Sequence, residues 1–268
     1  VQYEKKDPVA NDMKIATWNV NSIRARVPVV TAWLERVQPD VLLLQETKCL
    51  PEKFPREHFE HLPYNIELVG EPSLNGVAIL AKSPIEDVLT SLPGDPGDEE
   101  ARYIEATVNG VRVASVYVPN GTALDSPRFP FKLAFFDRLR AHAAELLEDD
   151  QPLVIGGDYN VAPTAIDVYD AKELEGTICY HPAEREKWRT LTNIGLYDAY
   201  RAIEPDTIAY SWWHYQERSF QLGHGLRIDH LLLSPSALDR LEGVEIDEAP
   251  RRQKKPSDHT PVLCSLAA

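Results

Sequence analysis

The chain has 268 residues, 43% hydrophobic and 26% charged, with a net charge of −14. That is enough apolar material for one large domain or two small ones, and no apolar run approaches the roughly 20 residues of a membrane span. So acidic a balance argues against non-specific affinity for nucleic acid and leaves carboxylates free to hold a metal.

Cys49, Cys179 and Cys264 are far apart and follow no metal or disulfide spacing. This suits a reduced, cytoplasmic protein. Val1 to Asp12, before the single methionine Met13, lacks the apolar core of a signal peptide. It reads as a tag remnant or a disordered tail. No linker divides residues 13–268, so they are expected to form one domain, and a monomer.

Lys14 to Val20 alternates and is rich in strand formers, with Asn19 and Asn21 at its end. From about Ala25 to Val37, Val29, Val30, Trp33, Leu34 and Val37 share one face of a 3.6-residue period. This is a helix, stopped by Pro39. Val41 to Leu44 is a continuous apolar run, a strand buried on both faces. It ends at Glu46, placed either as a ligand at a strand-end cleft or as the salt-bridge partner of Lys48. Pro51 to Pro63 reads as a short helix and loop, Asn65 to Val69 and Gly76 to Ala81 as strands, and Ser91 to Glu100 as an acidic loop. Arg102 to Val108 and Val111 to Val118 flank Asn109–Gly110, a pair that favours a type I′ hairpin turn. The second strand of that hairpin ends at Tyr117, followed by Pro119, Asn120 and Gly121.

Phe131 to Leu147 is a long helix with Phe131, Phe135, Leu139 and Leu146 as its core stripe. Leu153 to Ile155 is a short buried strand ending in a tight turn at Gly156–Gly157, with Asp158 and Asn160 just beyond. Two residues apart, these side chains either face a common cleft or bond local backbone as an Asx-turn. Ala171 to Pro182 is irregular, and Ala183 to Asn193 is a helix ended by Gly195. Tyr210 to Tyr215 is an aromatic strand whose neighbours Trp212 and Trp213 point to opposite sides. Leu226 to Leu233 is one strand with Asp229 inside it, and a carboxylate in so apolar a run is paired or functional. Val244 to Ile246 is a short strand, and Asp258–His259 leads into the last one. Basic residues cluster at Arg251, Arg252, Lys254 and Lys255, with smaller pairs at Arg24 with Arg26 and Arg128 with Lys132. They are local sites for a polyanion or solvated charges. Nine or ten strands against three or four helices fit two packed sheets covered by helices better than a doubly wound fold.

Asn19, Glu46, Tyr117, Asp158, Asn160, Asp229, Asp258 and His259 mostly terminate or follow apolar strands. Oxygen donors of this kind suit a hard cation, Mg²⁺ or Mn²⁺. One His with no Cys partner argues against structural zinc.

In TWNVNSIRAR (17–26), LLLQETK (42–48), NGVAIL (75–80), VYVPNG (116–121), IGGDYNVAP (155–163), LRIDHLLLS (226–234) and KPSDHTPV (255–262), the chain closely resembles the exonuclease III family of AP endonucleases, within the DNase I-like phosphodiesterases. The resemblance implies a four-layer αββα sandwich of two mixed sheets flanked by helices, with the active site at one edge. It implies Glu46 as the main metal ligand, with Asn19 close by and Asp258 in support. Asp158 would orient or deprotonate the attacking water, and Asn160 would hold the phosphate and the nucleophile. Tyr117 would contact the phosphate, and His259 paired with Asp229 would stabilise charge on its oxygens. Asn21, Arg24, Arg26 and Asn120 fall where the family meets DNA. Trp212, Leu226 and Ile228 match the small apolar pocket that takes a sugar without a base. The implied substrate is double-stranded DNA with abasic sites or blocked 3′ ends, in base excision repair.

Elementary chemistry agrees. A phosphodiester is anionic, so attack needs charge neutralised at the phosphorus oxygens and a carboxylate to activate water. Between Asp158 and His259 the base is not settled by sequence. Two other readings use the same fold. An inositol-phosphate or lipid phosphodiesterase is opposed by the Arg pair and the apolar pocket. A non-catalytic nucleic-acid-binding protein is opposed by the complete polar set.

Overall fold

The computed structural model describes residues 12–216 and 218–268, so the tag-or-tail reading of Val1 to Asp12 falls almost wholly outside the described residues. In chain order the elements are β1 (Met13–Asn19), α1 (Ile23–Val37), β2 (Val41–Gln45), β3 (Asn65–Val69), β4 (Val77–Ala81), β5 (Glu86–Leu89), β6 (Tyr103–Val108) and β7 (Val111–Tyr117). Then come α2 (Arg128–Leu146), β8 (Leu153–Asp158), α3 (Ala171–Leu174), α4 (Pro182–Thr192), β9 (Tyr197–Asp198), α5 (Ala199–Ile203) and β10 (Trp212–Trp213). The chain closes with α6 (Ser219–Leu222), β11 (Gly225–Leu226), β12 (Asp229–Leu233), α7 (Pro235–Leu238), β13 (Leu241–Ile246) and β14 (Val262–Leu266).

Twelve strands form two six-stranded sheets, ordered β13-β14-β1-β2-β4-β3 and β5-β6-β7-β8-β12-β9. Each is mixed: β1 runs parallel to β2, and β7 parallel to β8. Strand alternation builds three layers of core. Ile15, Leu43, Ile79, Val113, Val154 and Leu231 meet between the sheets. Ala16, Trp18, Leu42 and Leu44, on the opposite face of the first sheet, pack under Val30, Trp33 and Leu34 of α1. Ala114, Val116 and Ile155 pack under Phe135, Phe136 and Leu139 of α2 and Trp188 of α4. Each buried Val, Leu, Ile or Phe among them contributes about 1.5–3 kcal/mol by leaving water. This is the expected αββα sandwich.

Local signals largely hold. Gln38 closes α1 in the left-handed region, its N–H bonding the Leu34 carbonyl, and Pro39 forbids another turn. Asn109 and Gly110 both take positive φ, as a type I′ hairpin requires. Several expectations are corrected. The Gly pair does not end β8, which runs through it to Asp158. The predicted Tyr210–Tyr215 strand shrinks to Trp212–Trp213, and Leu226–Leu233 divides into β11 and β12. In α2 it is Lys132 that is fully buried, while Phe131 lies half-buried under the Arg128 guanidinium. Residues 51–58 form two 3₁₀ turns, and β5 and β9 went unforeseen, being short edge strands with little apolar alternation. Among the described residues no helix is long and apolar enough to cross a membrane.

Candidate active site

The site follows from strand alternation. On β1 the residues facing the second sheet are Ile15, Thr17 and Asn19; on β2 they are Leu43 and Gln45. On β7 they are Val113, Ser115 and Tyr117, and on β8 Val154, Gly156 and Asp158. The series runs from apolar to polar toward one edge of the sandwich. In the middle, Gln45 donates to Ser115 Oγ (2.9 Å) and Thr17 Oγ1 (3.0 Å), joining the sheets through a fully buried polar layer. Parallel pairing then ends β7 and β8 together, so Tyr117 sits beside Asp158. Antiparallel β12 begins where β8 ends, so Asp229 sits on the other side of Asp158.

Asn19 bridges the two carboxylates, its amide donating to Glu46 Oε1 (2.8 Å) and Asp158 Oδ2 (2.9 Å). Its own oxygen accepts from the Asn21 N–H. Asp158 Oδ1 accepts the Asn160 N–H at 2.9 Å, so the Asx-turn exists and its carboxylate lines the cleft as well. Asn160 donates its amide to Val118 O and accepts from Asn120 (3.0 Å). His259 Nδ1 contacts Asp229 Oδ2 (2.9 Å), and its Nε2 lies 3.7 Å from Asp158 Oδ2. Glu46 also pairs with Lys48 (2.6 Å), as one of its two readings expected, while still lining the cleft. Its left-handed backbone, φ 53°, turns the chain at the strand end.

Burial raises the Asp158 carboxyl to about 7; the His259 charge pulls against that shift and the Asp229 charge adds to it. Burial alone would lower His259, but the Asp229 and Asp158 carboxylates outweigh it and raise the imidazole to about 10, so it carries a proton. For Glu46, burial is outweighed by the Lys48 charge and the Asn19 hydrogen bond, which keep its pKa below the ordinary value. Tyr117 is pushed well up by burial and by the Glu46 and Asp158 charges, so it remains a phenol.

Glu46, Asp158 and His259 each bring a ligand atom within 4.8 Å of the others. With His259 protonated, the donors left to a cation are the Glu46 and Asp158 carboxylate oxygens, which fit a hard divalent ion. Asp258 stands beside this group rather than in it. Its oxygens accept from Asn21 Nδ2 (2.9 Å) and Trp212 Nε1 (3.1 Å).

These groups open into a cavity of about 390 Å³, lined further by Ile178, Cys179, Trp212, Leu226 and Ile228. Trp212 faces it half-buried, while Trp213 turns into the core. Arg24 lies exposed on α1, outside the cavity lining, and Arg26 bonds Tyr215 OH (2.6 Å) and Pro256 O. Neither basic cluster is wholly a surface site. Arg251 is buried against Tyr215 and Phe220, while Arg252, paired with Glu248, stays exposed with Lys254 and Lys255. Arg128 pairs with Glu100, and Lys132 is enclosed. Side-chain pairing of this kind leaves no trace in local sequence.

Sequence reasoning missed Ser211, Ser257 and the Ile178–Cys179 wall. Ser211 Oγ donates to Asp229 Oδ2 (2.6 Å) and accepts from the Ile228 and Asp229 N–H groups. Ser257 Oγ donates to Asn19 O (2.7 Å) and accepts from the His259 N–H. Ser257 lies inside a segment already singled out, whereas Ser211 and the wall carried no signal.

A sandwich of this layering, with its acidic strand ends gathered at one edge, defines the DNase I-like class of hydrolases. Within that class the chain belongs to the Endonuclease/Exonuclease/phosphatase family, which it matches over residues 16–259. It is 32% identical to exodeoxyribonuclease III of Haemophilus influenzae, covering 93% of this chain and 98% of that one. It is 31% identical to the DNA repair nuclease APEX1 of Danio rerio, covering 98% and 84%. Among solved structures it resembles the 3′-5′ exonuclease NExo of Neisseria meningitidis (TM-score 0.93, 39% identical) and an AP endonuclease of Archaeoglobus fulgidus (0.92, 35%), each covering 96% of this chain and all of the other.

Proposed function

We propose that the protein is a metal-dependent DNA phosphodiesterase of base excision repair that incises DNA 5′ to abasic sites and processes 3′ ends. The observation that carries this is the joining of the Glu46–Asn19–Asp158 and Asp158–His259–Asp229 groups to a cavity of about 390 Å³ whose far wall, Ile178, Trp212, Leu226 and Ile228, is apolar. The relatives named for DNA repair, exonuclease and AP endonuclease activity support the substrate. A product DNA hairpin bound by the Neisseria protein supports 3′-end chemistry.

Each role follows from position and charge. Asp158, raised to about 7, is suited to take the proton of the attacking water near neutral pH. His259 is already protonated, so it acts as a donor rather than the base: Asp229 holds Nδ1, and the remaining N–H faces the cleft. Tyr117 supplies a phenol and Asn120 an amide toward the phosphate, and Asn160 orients the nucleophile. Glu46, with Asn19 beside it, would hold Mg²⁺ or Mn²⁺. The ion when bound would supply positive charge to the phosphate oxygens. Trp212, Leu226 and Ile228 would line the side of the cavity that takes the baseless sugar.

The test is a duplex carrying one abasic site, incubated across a divalent-metal series. Incision should require metal, vanish with EDTA and be lost in Asp158→Ala. Incision indifferent to both changes would overturn the mechanism.

A further inference from the structure

Lys132 and Glu184 form an ion pair with no exposed surface in either side chain. An apolar pair would fill the same volume between α2 and α4 without desolvating two charges, so the charges need another reason. Their remaining bonds supply it. Lys132 Nζ contacts Glu184 Oε1 at 2.5 Å, Asn160 O at 2.7 Å and Asn120 O at 3.0 Å, which uses all three of its hydrogens. Glu184 in turn accepts from the His181 N–H (2.9 Å) and the Cys179 N–H (3.3 Å). Thus three loops that wall the cleft, at Asn120, Asn160 and Cys179, hang on one buried ammonium–carboxylate pair.

Two of those loops are held in backbone conformations that need holding. Asn160 and Cys179 take φ of 50° and 70°, in the left-handed region that non-glycine residues disfavour. Gly121, at φ 97°, lets the pair form: a Cβ there would come within 3.3 Å of Lys132 Cδ. Neither charge touches the cleft, so neither is a catalytic residue.

We infer that the Lys132–Glu184 pair is a positioning device that sets the Asn120 and Asn160 carboxamides for turnover, at a cost in desolvation that stability alone would not justify. This rests on the nuclease reading above.

The experiment compares two neutral double variants on the abasic duplex. Lys132→Met with Glu184→Gln removes the donor to both asparagine carbonyls and leaves no buried charge. Lys132→Gln with Glu184→Gln restores an amide donor. Thermal melts establish which variants are folded at the assay temperature. The first should lose about 10- to 100-fold in kcat with KM within about threefold, and the second should recover much of that loss. A packing role alone would make the two equally active. In ¹⁵N-labelled folded protein, the Asn120 and Asn160 side-chain amide resonances should shift in the methionine variant and return toward the wild type in the glutamine variant. Should the methionine variant not fold, the glutamine variant carries the test, with a kcat loss of about three- to tenfold from its missing third bond. A folded variant with kcat within twofold of wild type and unmoved amide resonances overturns the inference. Wild-type protein inactive on the duplex overturns the nuclease reading instead, and the amide resonances still report on the positioning.

Discussion

Asp158 shows how one residue serves both turn and site. Its Oδ1 closes the Asx-turn to Asn160, while its Oδ2 meets Asn19 and faces His259. Replacing Asp158 with Asn keeps an oxygen for the turn and removes the proposed proton acceptor. We expect kcat to fall by about 10²- to 10⁴-fold, the range of a lost general base, with little change in melting temperature. Measuring both on one preparation separates the roles, and a large loss of stability with activity retained would contradict this assignment. Ser211 should show its effect in stability first. Ser211→Ala strips a donor from the buried Asp229 carboxylate and an acceptor from two backbone N–H groups. Urea melts should show a cost of about 1–3 kcal/mol per group left unsatisfied, with the weakened Asp229–His259 pair lowering turnover as well.

At the scale of elements, the glycine pair of β8 is closely packed just before the site. A Cβ on Gly156 would meet Leu231 Cδ2 and Leu43 Cδ1, both at 2.7 Å. One on Gly157 would lie 1.9 Å from the Val116 carbonyl oxygen. The first clash is with side-chain ends that can rotate away, and the second is with the backbone of the paired strand. Gly156→Ala should therefore cost about 1–3 kcal/mol in urea denaturation, as overpacking does. Gly157→Ala should cost more and disturb Asp158 directly. Equal effects would mean that strand β7 yields as readily as a leucine. The glycine pair was visible in sequence, but its use in close packing rather than in a turn depends on what lies across the sheet.

For the whole molecule, charge sets two behaviours. Glu105 is nearly excluded from solvent, where burial opposes ionisation, yet His142, Tyr103 and Arg112 hold its carboxyl at about 2. Asp167 is likewise buried and held at about 2 by Arg227 and Arg201. Both folded values lie below the ordinary ones of 4.5 and 3.8. Their contribution is therefore complete above the unfolded values and disappears as pH falls toward 2. The urea midpoint should thus drop between about pH 4.5 and 2, and Glu105→Gln should flatten the fall. The net charge of −14, with few exposed basic residues near the cleft, should make DNA binding weak, and few neutralised phosphates should give it a shallow salt slope. Fluorescence anisotropy of a labelled abasic duplex across roughly 50–200 mM salt measures that slope, and a loss of about a thousandfold or more over that range would contradict it.

The order of the longer strands and helices, the two-sheet layering and the identities of the polar strand-end residues were legible in the chain itself. Apolar alternation and turn residues are local properties, and the strand ends stood out because Glu46, Tyr117 and Asp158 follow apolar runs. Which polar residues met was decided only by tertiary structure. Parallel pairing of β7 with β8 and antiparallel pairing of β12 put Tyr117, Asp158 and Asp229 side by side from three distant segments. The same packing turned Lys132 and Arg251 inward, away from the surface roles their charge suggested. A neighbour two or four residues away can be read as a partner, as Lys48 is for Glu46, but for Lys132 and Arg251 pairing is long-range and depends on which carboxylate or carbonyl the fold brings within reach.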